Sequence, residues 1–256
     1  MRDITLKELL EAGCHFGHQT NRWQPKAAAY IYGFRDGVHI IDLVKTRDGL
    51  IRAAGFLKEL AKSGGTVVFV GTKRQAKAIV EDSAKKVRQL SNLGDLSKTQ
   101  NFYFLLERWP GGFLTNFDIL KRNNLEAIVR LKEEIGENRF VTKKERLLAQ
   151  RKLDRYEKLY GGLVGLTKVP DAIFLVDIRK EKGAVHEAQR TGVKMVAITD
   201  TNVNPEPIEY AIPANDDAVG SIKIIVEYLA EAWKEGLSEA VKSEALNPKS
   251  QTNSKS

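Results

Sequence analysis

A chain of 256 residues, 42% hydrophobic and 29% charged, has room for one large core or two modest ones and the balance of a globular protein. No apolar run approaches the ~20 residues that a bilayer-spanning helix needs, and the start, MRDITLKELLEAG, mixes acids with bases, unlike a secretory signal. The net charge of +8 is uneven: 30 Lys and Arg stand against 19 Asp and Glu in residues 1–160, but 11 against 14 in residues 161–256.

TLKELLEA (5–12) has the spacing of a short helix with Leu6, Leu9 and Leu10 on one side. CHFGHQTNRWQPK (14–26) reads as a loop. AYIYGFRDGVHIIDL reads as a hairpin turning at Asp36-Gly37. Residues 43–62 have helical spacing and stop at Gly64-Gly65. TVVFVG (66–71), NFYFLLE (101–107), DAIFLVD (171–177) and KMVAITD (194–200) are continuous apolar runs, as strands covered on both faces require. A short EYAIP strand follows. Helices are expected over 73–90, 180–191 and 216–236, with the polar SNLGDLSKTQ (91–100) as a surface loop. Buried strands alternating with helices predict an α/β fold: a doubly wound, mainly parallel sheet.

Residues 117–160 break the alternation. Leu120, Leu125, Ile128, Leu131 and Ile135 make an interrupted apolar stripe, and Leu148, Leu153, Tyr156 and Leu159 make another. Thr142 with Glu145 is a capping-box signature between them. With 12 Lys and Arg against 8 Asp and Glu, the segment reads as an inserted, basic, antiparallel helical hairpin of coiled-coil type. Residues 1–116 and 161–236 are then one α/β domain. Residues 237–256 form a tail whose last ten, NPKSQTNSKS, lack apolar groups and are expected to be disordered.

Several clusters invite chemistry. Cys14, His15 and His18 supply too few ligands for zinc and no assembled nucleophile pair. A single cysteine also makes no internal disulfide, which suits a reducing compartment. GTKRQ (71–75) sits at a strand end, where Thr72, Lys73 and Arg74 can hold an anion, yet neither GxGxxG nor GxxxxGK[ST] is present. RWPGGFLTN (108–116) repeats the Arg-Trp pairing of Arg22-Trp23 beside a glycine turn. Asp200, Asp216 and Asp217 follow strand ends and are weak candidates for a divalent cation. The basic first two thirds fit a polyanion partner, because each neutralised phosphate releases condensed counterions.

With those residues in view, the chain resembles the bacterial-type small-subunit ribosomal protein S-two family. TLKELLEAGCHFGHQTNRWQPK, IYGFRDGVHIIDL, VVFVGTKRQA, RWPGGFLTNF, PDAIFLVD, AITDTNVNP and IPANDDAVGSI carry the resemblance, in order, over most of residues 3–235. It implies no catalysis and no cofactor. It implies a structural protein docked on small-subunit ribosomal RNA near the junction of head and body, touching neighbouring ribosomal proteins and helping to hold the large mRNA-binding protein S-one. It implies a cytoplasmic ribosome, although the sequence alone does not separate a bacterial from an organellar one, and it implies neither a membrane partner nor a homo-oligomer. Mapped by residue, the RNA-contact candidates are Arg22, Trp23, Lys26, Lys73, Arg74, Arg108, Trp109, Gly111, Gly112, Thr115, Asn116, Lys121, Arg122, Lys143 and Lys144. The rival reading is a doubly wound enzyme acting on a nucleotide or sugar-phosphate ligand at the sheet's C-terminal edge, through Thr72, Lys73, Asp200 and Asp216.

Overall fold

Thr5 starts the first helix, Leu6–Glu11 (α1). Its hydroxyl accepts from the Glu8 amide, and the Glu8 carboxylate accepts back from the Thr5 amide. The computed structural model describes residues 2–91 and 101–246. Only Leu9 of α1 is buried; Leu6 and Leu10 face outward, so the apolar side is narrower than expected.

The stretch expected to be a loop contains a strand, Phe16–Gln19 (β1), followed by 3₁₀ turns over Thr20–Arg22 and Pro25–Tyr30. Its alternation is invisible because Gly17 and His18 face other parts of the chain rather than a uniform core. A Cβ on Gly17 would overlap the Thr201 side chain, and the His18 amide donates to the Thr201 hydroxyl at 2.9 Å. Strand Ile31–Arg35 (β2) and strand Val38–Ile41 (β3) form the expected hairpin. Asp36 and Gly37 both have positive φ, as a two-residue turn of the primed type needs. These strands make a three-stranded sheet in the order β1-β3-β2.

The main sheet contains strands Val67–Val70 (β4), Phe102–Leu105 (β5), Ala172–Leu175 (β6), Lys194–Thr199 (β7) and Tyr210–Pro213 (β8). Its order is β5-β4-β6-β7-β8, with every neighbouring pair parallel. Alternate side chains go to opposite faces. Val67, Phe69, Phe102 and Phe174 pack under Leu43–Lys62 (α2), Lys77–Ser91 (α3) and Val219–Leu246 (α8). Val68, Val70, Leu105 and Leu175 pack under Phe113, Phe117 and the helix Lys182–Thr191 (α7). Both faces are therefore covered, which is why the strands read as unbroken apolar runs.

Helix α8 runs to Leu246, well past the expected end at 236. Gly236 is no stop signal. It lies where α8 crosses α2, and a Cβ there would overlap the Lys58 carbonyl oxygen. Residues 92–100 of the expected surface loop, and the tail 247–256, lie outside the described residues.

Residues 117–160 are helical except for 137–142. A short helix Phe117–Leu120 (α4) passes through one π turn, Lys121–Leu125, into Glu126–Gly136 (α5), and Lys143–Tyr160 (α6) follows. Thr142 and Glu145 make the capping box. α5 and α6 pack through Ile128, Leu131 and Leu153. The second stripe is thinner than expected, because Leu148 is exposed.

Candidate nucleic-acid interface

In this strand order the chain reverses direction across the sheet between β4 and β6. A crevice at their C-terminal ends is the usual ligand site of a doubly wound fold. Here the protein's own side chains occupy it. The buried Thr72 hydroxyl donates to the buried Glu181 carboxylate, and Lys180 Nζ donates to the Thr72 carbonyl at 2.9 Å. Lys73 Nζ lies 2.9 Å from Asp216, 2.8 Å from Asp217 and 3.3 Å from Asp177. His18 Nδ1 lies 3.1 Å from Asp200, and its Nε2 lies 3.7 Å from Asp217.

Asp200, Asp216 and Asp217 thus gather at neighbouring strand ends, but Asp216 and Asp217 pair with the Lys73 ammonium and Asp200 with the His18 ring. Among the described residues, no group of three or more His, Cys, Asp or Glu side chains is arranged to hold a metal ion. Burial, with the Asp177 and Asp200 charges, lifts Asp216 to a pKa of about 7, against the pull of Lys73. Burial disfavours charge on Lys73, yet Asp216, Asp217 and Asp177 outweigh it and hold that pKa above the ordinary lysine value. The bond to Asp200 raises His18 in the same way. Cys14 is buried, its thiol pushed up by that burial. The rival enzymatic reading therefore finds Thr72, Lys73, Asp200 and Asp216 already bound to one another or to neighbours.

The Arg108–Asn116 loop is organised by a residue with no motif of its own. Glu187, on α7, accepts from the Trp109 indole at 3.0 Å, the Gly112 amide at 2.8 Å and the Leu114 amide at 2.8 Å, with Thr115 at 3.4 Å. Gly112 has φ +80, which turns its amide inward and favours glycine there. Trp109 packs edge-on against Phe113. Both residues are engaged inside the protein, while Arg108, Gly111, Thr115 and Asn116 stay accessible, Arg108 without an acidic partner among the described residues.

An open cleft of about 700 Å³ lies elsewhere. Arg22 and Trp23, after β1, face Arg179, Lys182 and His186, before and within α7, with Asn202 and Asn204 beside them. No carboxylate lines it. Trp23 is 41% exposed and its ring stands 5.4 Å from that of His39, an aromatic face open to solvent among cations. Lys26 does not contribute in the same way, because its ammonium is paired with Glu206. Arg179, Lys182 and His186 are absent from the sequence candidates. The signal was present: Arg179 lies two residues after the DAIFLVD strand, on the ligand side of the sheet.

The remaining candidates lie apart from that cleft. Arg74 is exposed beside the Lys73 cluster. Lys121 Nζ reaches the Thr167 carbonyl at 3.5 Å, and Arg122 is exposed on the π turn. Lys143 and Lys144 occupy the first turn of α6, where the helix dipole disfavours cations.

The chain matches the ribosomal protein S2 family over residues 9–236. It is 43% identical over 241 residues to the small ribosomal subunit protein uS2 of Bdellovibrio bacteriovorus, covering 93% of this chain and 72% of that one. It is also 43% identical to the proteins of that name from Chloroflexus aggregans, over 238 residues, and Chloroflexus aurantiacus, over 237, covering 92% of this chain and 94% of each relative. The chain belongs to the ribosomal protein S2 family. Membership agrees with the crevice geometry: these relatives carry the name of a ribosomal component rather than of an enzyme. No described helix is long and apolar enough to cross a membrane.

Proposed function

We propose that this chain is a structural constituent of the small ribosomal subunit that binds small-subunit ribosomal RNA, in the cytoplasm, without catalysing a reaction. The observation that carries the reading is the acid-free cleft where Arg22, Arg179, Lys182 and His186 surround the exposed Trp23. Cations there neutralise phosphate, and an exposed indole offers an unpaired base a stacking face. The names of the relatives support the same role. Lys143 and Lys144 extend the RNA face. Cations at a helix start lose stability in the free protein and regain it against a phosphate.

In this reading residues 1–116 and 161–236 act as one α/β body, and 117–160 as an inserted basic arm. Neighbouring proteins, among them the large mRNA-binding protein S-one, dock on the opposite kind of surface. Strand β2 is a sheet edge whose Tyr32 and Phe34 are 81% and 76% exposed. Exposed aromatic rings at a sheet edge suit protein contact better than phosphate.

The test is a salt series of binding to small-subunit ribosomal RNA. Arg179→Ala with Lys182→Ala should weaken binding and lower the slope of log K against log salt by roughly 0.7–0.9 for each phosphate no longer neutralised. Wild-type affinity and slope in the double variant would remove the cleft from the RNA face.

A further inference from the structure

A second cleft, of about 510 Å³, lies between the glycine loop and the start of the inserted helices. Its size is that of sites for small organic groups, roughly 300–1,000 Å³. Arg108, Asn116, Asn123, Asn124 and Tyr160 line it, and no carboxylate does.

Three primary amides open into this one cleft, and no described group of the protein takes up their hydrogen-bonding capacity. Asn116 stands at the N-cap of α4, where an asparagine ordinarily bonds the first turn, yet its side chain makes no cap bond. Among the described residues, the side chains of Asn123 and Asn124 have no hydrogen-bond partner either. They sit in the π turn, where the Glu126 amide donates to the Lys121 carbonyl five residues back. Such turns are rare and gather at functional sites. Glu187 holds the opposite wall, Trp109 to Thr115, through its four N–H bonds.

An amide side chain donates and accepts at once. That matches the N7 acceptor and N6 amino donor of adenine, which an asparagine engages with two hydrogen bonds. Tyr160, half-buried and edge-on to Tyr156, lines the cleft with the part of its ring that stays open, and Arg108 supplies a charge for the adjoining phosphate. We propose that this cleft receives one unpaired adenine of the small-subunit ribosomal RNA, read by the Asn123 and Asn124 amides and stacked on Tyr160. The assignment rests on the RNA-binding role proposed above.

The experiment uses the full chain and small-subunit ribosomal RNA carrying 7-deazaadenosine at scattered positions. The wild-type protein should select against the analogue at one unpaired adenosine. Asn123→Ala with Asn124→Ala should lose that selection and bind roughly 10-fold more weakly, with the salt slope unchanged. Asn124→Asp, which keeps the side-chain shape, should bind more weakly too. Arg179→Ala with Lys182→Ala should lower the slope and keep the selection. RNA binding by wild-type protein without selection at any adenosine, or wild-type affinity in the Asn123/Asn124 double variant, overturns the base pocket and leaves the RNA-binding role standing. Failure of the wild-type protein to bind the RNA overturns both.

Discussion

Lys73→Met tests whether this lysine is a counter-ion or an RNA contact. The side chain is 14% exposed, and its Asp216 partner 3%. Removing one partner of such a buried pair costs ~3–5 kcal/mol, because the other charge is left uncompensated. Two features pull the value toward the lower end. Asp217 is 54% exposed, so water screens it. Asp216 already has a pKa of about 7 and takes up a proton when its cation is gone. The loss should be about 3 kcal/mol at pH 8, which corresponds to a Tm lower by roughly 6–12 °C. At pH 6 Asp216 is protonated in both proteins, so the penalty should shrink by about 1–2 kcal/mol. Urea unfolding at the two pH values measures this, beside a salt series of RNA binding whose slope should not change. Stability within ~0.5 kcal/mol of wild type at both pH values, with a slope lowered by one phosphate, would refute the counter-ion assignment.

Glu187→Gln keeps the shape but turns charge-assisted bonds into neutral ones and points an amide donor at another donor. It should cost about 2 kcal/mol and speed hydrogen exchange at Gly112 and Leu114. His18→Gln should flatten the pH dependence of stability. The His18 pKa is raised above 6.5 in the folded state by Asp200, so its contribution is fully present below pH 6.5 and is lost as pH rises through the folded value. The urea midpoint of wild type should fall between pH 6 and pH 8 more than that of the variant. Gly236→Ala should destabilise by about 1–3 kcal/mol by pushing α8 off α2, read as a lower Tm, whereas Gly55→Ala, with open space at its Cβ, should not.

The strands of the main sheet were legible because a parallel sheet covered on both faces leaves no room for polar alternation. VVFV and AIFL are fully buried and read that way. Strand β1 was not legible. Phe16–Gln19 becomes a strand through pairing with β3 and contact with Thr201, neither of which leaves a local pattern. The interruption in the first apolar stripe was visible as the step from Leu120 to Leu125. Its cause, a π turn that inserts one residue and restores both leucines to the buried side, needed coordinates. At the site, the sequence placed Asp200, Asp216 and Asp217 at strand ends but could not show Lys73, from the end of β4, reaching Asp216 and Asp217, or His18 reaching Asp200. Lys182 carries no signal of its own because a cation on an amphipathic helix reads as a solvated face, whereas Arg179 stands in the turn between β6 and α7. Glu187 was passed over because a lone acid carries no spacing signal.

The charge that reaches a partner differs from the net charge of +8. Six acidic residues of the last third are engaged by the protein's own donors: Asp177, Asp216 and Asp217 face Lys73, Asp200 faces His18, Glu181 accepts from Thr72, and Glu187 accepts amide and indole protons. These contacts close the crevice in which a doubly wound fold ordinarily holds an anionic ligand, and they stabilise the loops at that edge. The same arrangement leaves Arg22, Arg74, Arg108, Arg179 and Lys182 without an acidic partner among the described residues. A crevice that kept free donors for a small phosphate ligand would have placed these carboxylates on the outer surface, where they would repel a polynucleotide at distances within the ~8 Å Debye length. The contacts that fill the crevice therefore also keep these carboxylates away from the cations on the loops around it.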